Sequence, residues 1–135
     1  MRLKFQKSCV VTSDAESRVG LCYELAFHET VHTSMGRPEA TLVHGVIRDT
    51  HVLGKGAVIC HAWVERDGIA WEPILQTELP IDIFIRLYDA EVIHRYPAKK
   101  ALDLAMKSGH SGPWEEMPDH IQKTLVQINE ERATS

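Results

Sequence analysis

The chain has 135 residues, 44% hydrophobic and 25% charged, with a formal net charge of −4. That balance fits one globular domain spanning residues 1–135 around a buried core. Lys and Arg form no dense stripe, which excludes a nucleic-acid grip, and no apolar run is long enough to span a membrane.

Met1-Arg2-Leu3-Lys4-Phe5-Gln6-Lys7 is followed by no apolar signal region, so a cytoplasmic protein is expected. Cys9, Cys22 and Cys60 are odd in number and spaced as neither a zinc finger nor a redox pair. They read as three free thiols in a reducing compartment.

Residues 1–12 read as a short strand or extended arm. Thr12-Ser13-Asp14 offers helix-capping chemistry, and residues 17–34 carry helical period with Gly36 as a stop and Pro38 beyond. On a wheel of about 100° per residue, Cys22, Tyr23, Ala26, Phe27, Thr30 and Val31 share one half, which is expected to be buried. Glu24, His28 and His32 lie on the other. Residues 40–48 are rich in β formers and read as a strand, and 49–56 as a loop. An apolar run then leads into His61-Ala62-Trp63-Val64-Glu65, a turn at Asp67-Gly68, and Ile69-Ala70-Trp71-Glu72-Pro73. Asp-Gly between two β-prone runs predicts a hairpin. Residues 77–88 are ambiguous: 81–87 alternate like a strand, yet Pro80 equally well opens a short helix. A strand over 91–96, a helix over 98–107 stopped by Ser108-Gly109, a loop over 110–114 and a last amphipathic helix over 119–131 complete the order. A helix, a run of short strands and then helices predict an α+β domain with an antiparallel sheet.

The hairpin can bring His61 and Glu72 together on adjacent strands. Cys22 follows Val19-Gly20-Leu21, where the helix is expected to begin, and a helix N-terminus stabilises a thiolate. An imidazole held by a carboxylate is the usual base for such a nucleophile. The plainer reading of Cys22 is a small buried apolar residue. Trp63 shares the strand parity of His61 and is expected to wall a cleft, with Trp71 in the core. His44 and Tyr23 are the other substrate-binding candidates, although a strand histidine is more often a hydrogen-bonded structural one. Tyr96 and the 110–114 loop fit either a substrate groove or plain packing.

His28-Glu29-Thr30-Val31-His32 matches H-E-x-x-H, in which two histidines on one helix turn share zinc and the glutamate polarises its water. Against it, the pair falls opposite the Tyr23-Phe27-Val31 face. The plainer reading is a solvated face with Glu24 and His28 paired.

Gly20-Leu21-Cys22-Tyr23, His61-Ala62-Trp63-Val64-Glu65 and Trp71-Glu72-Pro73 stand in the order found in papain-like and transglutaminase-like cysteine enzymes, which the chain resembles over residues 20–75. Val43-His44-Gly45-Val46-Ile47 looks like the strand before the histidine strand. The resemblance implies that fold, with Cys22 as nucleophile, His61 as general base and then acid, and Glu72 as orienter of the imidazole. It also implies that the Cys22 N–H is an oxyanion donor. Glu72 stands where Asp is commoner, and Gln6 is the one glutamine upstream of Cys22. The implied activity is amide-bond hydrolysis or acyl transfer on a peptide or protein through a thioester, with no cofactor or metal. A zinc metallopeptidase and an inactive binding or inhibitory module on the same fold are the alternatives.

Overall fold

The computed structural model describes residues 13–32, 38–50 and 54–124. The arm over 1–12, the Gly36 stop, His51 and most of the last helix lie outside the described residues. Helix α1 (Ser13–His32) comes first, then strands β1 (Thr41–Thr50), β2 (Gly54–Arg66), β3 (Ile69–Glu72) and β4 (Thr77–Pro80). Helix α2 (Ile81–Leu87), strand β5 (Glu91–Pro97) and helix α3 (Ala98–Ser108) follow. Residues 119–124 are also helical. The strands form one sheet in the order β4-β3-β2-β1-β5, every neighbouring pair antiparallel. The expected α+β class holds.

The turn between β2 and β3 has Asp67 at φ 52° and Gly68 at φ 79°, two positive values in succession. That is the turn whose twist matches an antiparallel hairpin, and it fixes the register. Pro80 resolves the ambiguity over 77–88 by serving both elements. It ends β4 and stands, at φ −52° and ψ 144°, immediately before α2. Once the chain turns helical, Phe84 and Tyr88 lie one turn apart and are buried together, with ring centroids 4.9 Å apart. The C-terminus of α3 is closed as expected by Gly109 at φ 80°, whose N–H donates to the Ala105 carbonyl.

Within β1 and β2, Gly45 lies opposite His61 and Ala62 opposite His44. Side chains alternate, so one face carries Val43, Gly45, His61, Trp63 and Glu65, and the other Leu42, His44, Ala62 and Val64. On the first face Trp63 is fully buried with its ring 4.9 Å from Phe84, which makes it a core residue and not a cleft wall. Trp71, on the opposite face, is only half-buried. The expected roles of the two tryptophans are therefore exchanged, because α2 covers the Trp63 face.

Helix α1 buries Cys22, Tyr23, Ala26, Phe27 and Thr30 and exposes Glu24, His28 and His32, as the wheel predicts. It starts earlier than expected, so Cys22 is in mid-helix and not at an N-terminus. Cys60 is disulfide-bonded, which corrects the reading of three free thiols and removes that argument for a reducing compartment. Among the described residues no helix is long and apolar enough to cross a membrane.

Gly45 makes room for the Trp63 indole. A Cβ there would sit 2.8 Å from Trp63 Cη2 and also press on the Glu91 carbonyl of β5. Neither neighbour is a flexible chain end. Gly45→Ala is expected to destabilise the domain by about 1–3 kcal/mol, the usual cost of overpacking a filled core. Urea unfolding should register this as a lower midpoint with unchanged slope.

Candidate functional site

The site is built where β3 leaves the sheet. The β2–β3 ladder ends with Val64 opposite Trp71, so the next rung sets Glu72 across from Trp63, on the His61 face. His61 is then the diagonal neighbour of Glu72, about 7–8 Å away at the backbone, a span that suits a long side chain. The extra methylene of glutamate reaches it, and Oε1 lies 2.7 Å from His61 Nε2. The Glu72 carboxylate also accepts the N–H groups of Ile74 (3.1 Å) and Leu75 (2.6 Å), so the turn after β3 holds it in place. These two amides form a support that no side-chain motif in the sequence announces.

An ionised carboxylate only accepts, so His61 Nε2 carries the proton in this contact and Nδ1 is the nitrogen left for Cys22. Cys22 and His61 are joined by a hydrogen bond. Burial alone pushes the His61 imidazolium toward losing its proton. The charge and hydrogen bond of Cys22, followed by those of Glu72, outweigh it and raise the pKa to about 10. Glu72 shows the matching response. Burial raises its pKa, while the His61 contact and the Leu75 and Ile74 amides bring it below the usual value. All three groups are enclosed, with Cys22 at 0%, His61 at 3% and Glu72 at 3% exposure.

The structure thus brings Cys22, His61 and Glu72 together, but the thiol stands elsewhere on its helix than expected. A mid-helix residue has its N–H bonded to the carbonyl four residues earlier. Cys22 therefore gains nothing from a helix terminus, and its N–H is not an open oxyanion donor. The imidazolium is the charge that faces it.

Tyr23, the next residue of α1, points to a second polar cluster on the other side of the sheet. Its ring meets His44 edge-on at 4.7 Å. His44 Nδ1 lies 2.7 Å from Glu115 Oε1, to which the Tyr96 hydroxyl also donates at 2.8 Å. Trp114 covers the group, 5.2 Å from both His44 and Tyr96. Gly112 closes it, since a Cβ there would be 3.1 Å from His44 Nε2. Tyr23 Oη, His44 Nε2 and Glu115 Oε2 are buried without hydrogen-bond partners among the described residues. His44 and Tyr23 were expected among the substrate-binding residues. The structure instead places His44 on the face away from His61, where it anchors the 110–115 loop. Glu115 had no signal in the sequence, because it reaches His44 from 71 residues away.

His28 and His32 stack in the open at 5.2 Å, and the Arg66 guanidinium takes Glu29 at 3.3 Å. No group of three or more metal-ligating side chains gathers among the described residues. Comparison with known proteins returns no match, whether to a family model, a curated protein or a solved structure.

The folded His61 pKa lies above its ordinary value of about 6.5, so its stabilisation is complete below about pH 6.5 and lost as pH rises through about 10. Glu72→Asp is too short for the diagonal contact. The variant should lower the His61 pKa, measured by NMR titration of the imidazole. It should also flatten the fall in unfolding free energy between pH 7 and 10, a fall on the order of a few kcal/mol in the parent. An unchanged titration would remove the diagonal reach as the reason for glutamate here.

Proposed function

We propose that the chain is a cysteine-dependent amide-bond hydrolase or acyltransferase, papain-like or transglutaminase-like in its chemistry, acting on a peptide or protein. The observation that supports this reading is the His61 ring, bonded on Nε2 by Glu72 and on its other side by Cys22, with its pKa raised to about 10. In this reading the Cys22 sulfur attacks the amide carbonyl as a thiolate. The tetrahedral intermediate collapses to a thioester as His61 gives its proton to the leaving amine. The neutral imidazole then takes a proton from the water or amine that cleaves the thioester and returns the carbonyl carbon to product. Glu72 holds the imidazole in one orientation and tautomer throughout.

Two features refine the reading. The oxyanion donor comes from outside the Cys22 amide, which the helix uses. The sulfur at 0% exposure makes local opening a step before acylation. That same enclosure favours a second reading, a binding or inhibitory module that retains the fold without turnover. The zinc-peptidase reading has less support, since Glu29 is engaged by Arg66 and His28 and His32 face away from the buried side.

Iodoacetamide labelling of Cys22 at neutral pH tests the proposal. A sulfur activated by His61 should be labelled about tenfold or more faster in the parent than in His61→Gln. Equal rates in the two proteins would overturn the triad. Labelling that needs denaturant in both would favour the binding module.

A further inference from the structure

On the face opposite the triad, the outer end of the sheet holds a groove of about 200 Å³. Its floor is a row of side chains across three strands: Val64 on β2, Trp71 on β3 and Glu78 on β4, which the ladders align. Ile69 and Asp67 form one end, and Arg66 and Pro38 the side toward α1. Drug-sized sites run to about 300–1,000 Å³, so this volume suits one long side chain and not a whole small-molecule ligand.

The charges lining the groove decide which side chain. Among the described lining residues Arg66 is the one cation, and it is already engaged. Its Nε donates to the Pro38 carbonyl at 3.0 Å and its Nη1 to Glu29 Oε2 at 3.3 Å. Asp67 and Glu78 are exposed acids at the rim. Glu78 lies directly across the strand pair from Trp71, so a carboxylate and an indole present themselves side by side.

We infer that this groove binds a lysine or arginine side chain of a polypeptide partner. The aliphatic stem lies along Val64 and Ile69, the cation meets the Trp71 ring, and Glu78 and Asp67 neutralise it. An acidic side chain would meet two like charges, and a purely apolar one would leave them without a counterion. The site is separate from the chemistry at Cys22, although Trp71 and Glu72 are adjacent in the chain, and it stands or falls without it.

The test uses the full chain carrying Cys22→Ala, so that turnover at the triad has no part in it. The indole N–H resonances are followed by NMR while N-acetyl-lysine methylamide, its norleucine analogue or its glutamate analogue is added, with Trp71→Phe identifying the Trp71 signal. The lysine compound should shift Trp71 saturably while the Trp63 and Trp114 signals stay in place. Glu78→Lys should weaken binding about 5–10-fold, and raising NaCl from about 50 to 500 mM several-fold. Retention of the Trp63 and Trp114 shifts in Glu78→Lys shows that the variant is folded. Equal response to norleucine or glutamate, or none to lysine at tens of millimolar, overturns the inference.

Discussion

The contact on which the arrangement depends is the one between His61 and Glu72. Taking an imidazole and a carboxylate out of water is costly unless every remaining hydrogen-bonding position is filled. Here the filling is nearly complete. Oε1 meets the ring and the Ile74 amide, Oε2 meets the Leu75 amide, and the far side of the ring meets the Cys22 thiol. None of these partners comes from a regular sheet ladder. Glu72 can serve all of them only because β3 stops there and its following turn folds its amides back. The Asp67-Gly68 turn fixes the register from the other end, so one tight turn and one strand end together determine the geometry of the pair.

Helix α1 links this pair to the rest of the core. Its consecutive residues point about 100° apart, and Cys22 and Tyr23 use that divergence to reach histidines whose strands direct them to opposite faces. The second cluster does different work from the first. His44, Tyr96 and Glu115 join β1 and β5 to the 110–115 loop by hydrogen bonds of 2.7 and 2.8 Å. Three of its polar atoms have no partner among the described residues, a count that is high for so small a region of a protein interior. Those atoms lie beneath Trp114 and Gly112, in a region whose packing is set by shape as much as by polarity. The charge of Cys22 acts across the helix on Tyr23, adding to the larger effect of burial to raise the tyrosine pKa. The two clusters are therefore electrostatic neighbours as well as structural ones.

Much of this was legible in the residues themselves. Alternation placed β1, β2 and β3, Asp-Gly gave the turn, and the wheel separated Cys22 and Phe27 from His28 and His32. Each of those signals is local. What was misread depended on contacts that are not. Gly20 resembles a helix start because glycine is a poor helix former, by about 1 kcal/mol, yet packing of α1 on β2 carries the helix through it. Trp63 and His61 do share a face, but alternation cannot say which face a helix covers. That decision rests on α2, whose own start at Pro80 was ambiguous. The role of Glu115 was invisible because it depends on a loop that crosses back to the first strand.

The enclosure of Cys22 bears on how a buried, hydrogen-bonded sulfur and the proposed acyl chemistry can belong to one site. If the sulfur were exposed, water would screen it and weaken the attraction that keeps His61 protonated. Enclosure strengthens the pairing, because the same charges interact in a medium of lower dielectric constant. In the proposed reaction it also blocks a substrate, so reactivity and access are in opposition at this position. There a carbonyl group reaches the sulfur only through local opening, and each opening admits water as well. Fixing Glu72 with two backbone amides offsets that cost. The two amides belong to the chain that follows β3, so the carboxylate and the imidazole it holds are oriented by contacts that do not involve the sulfur.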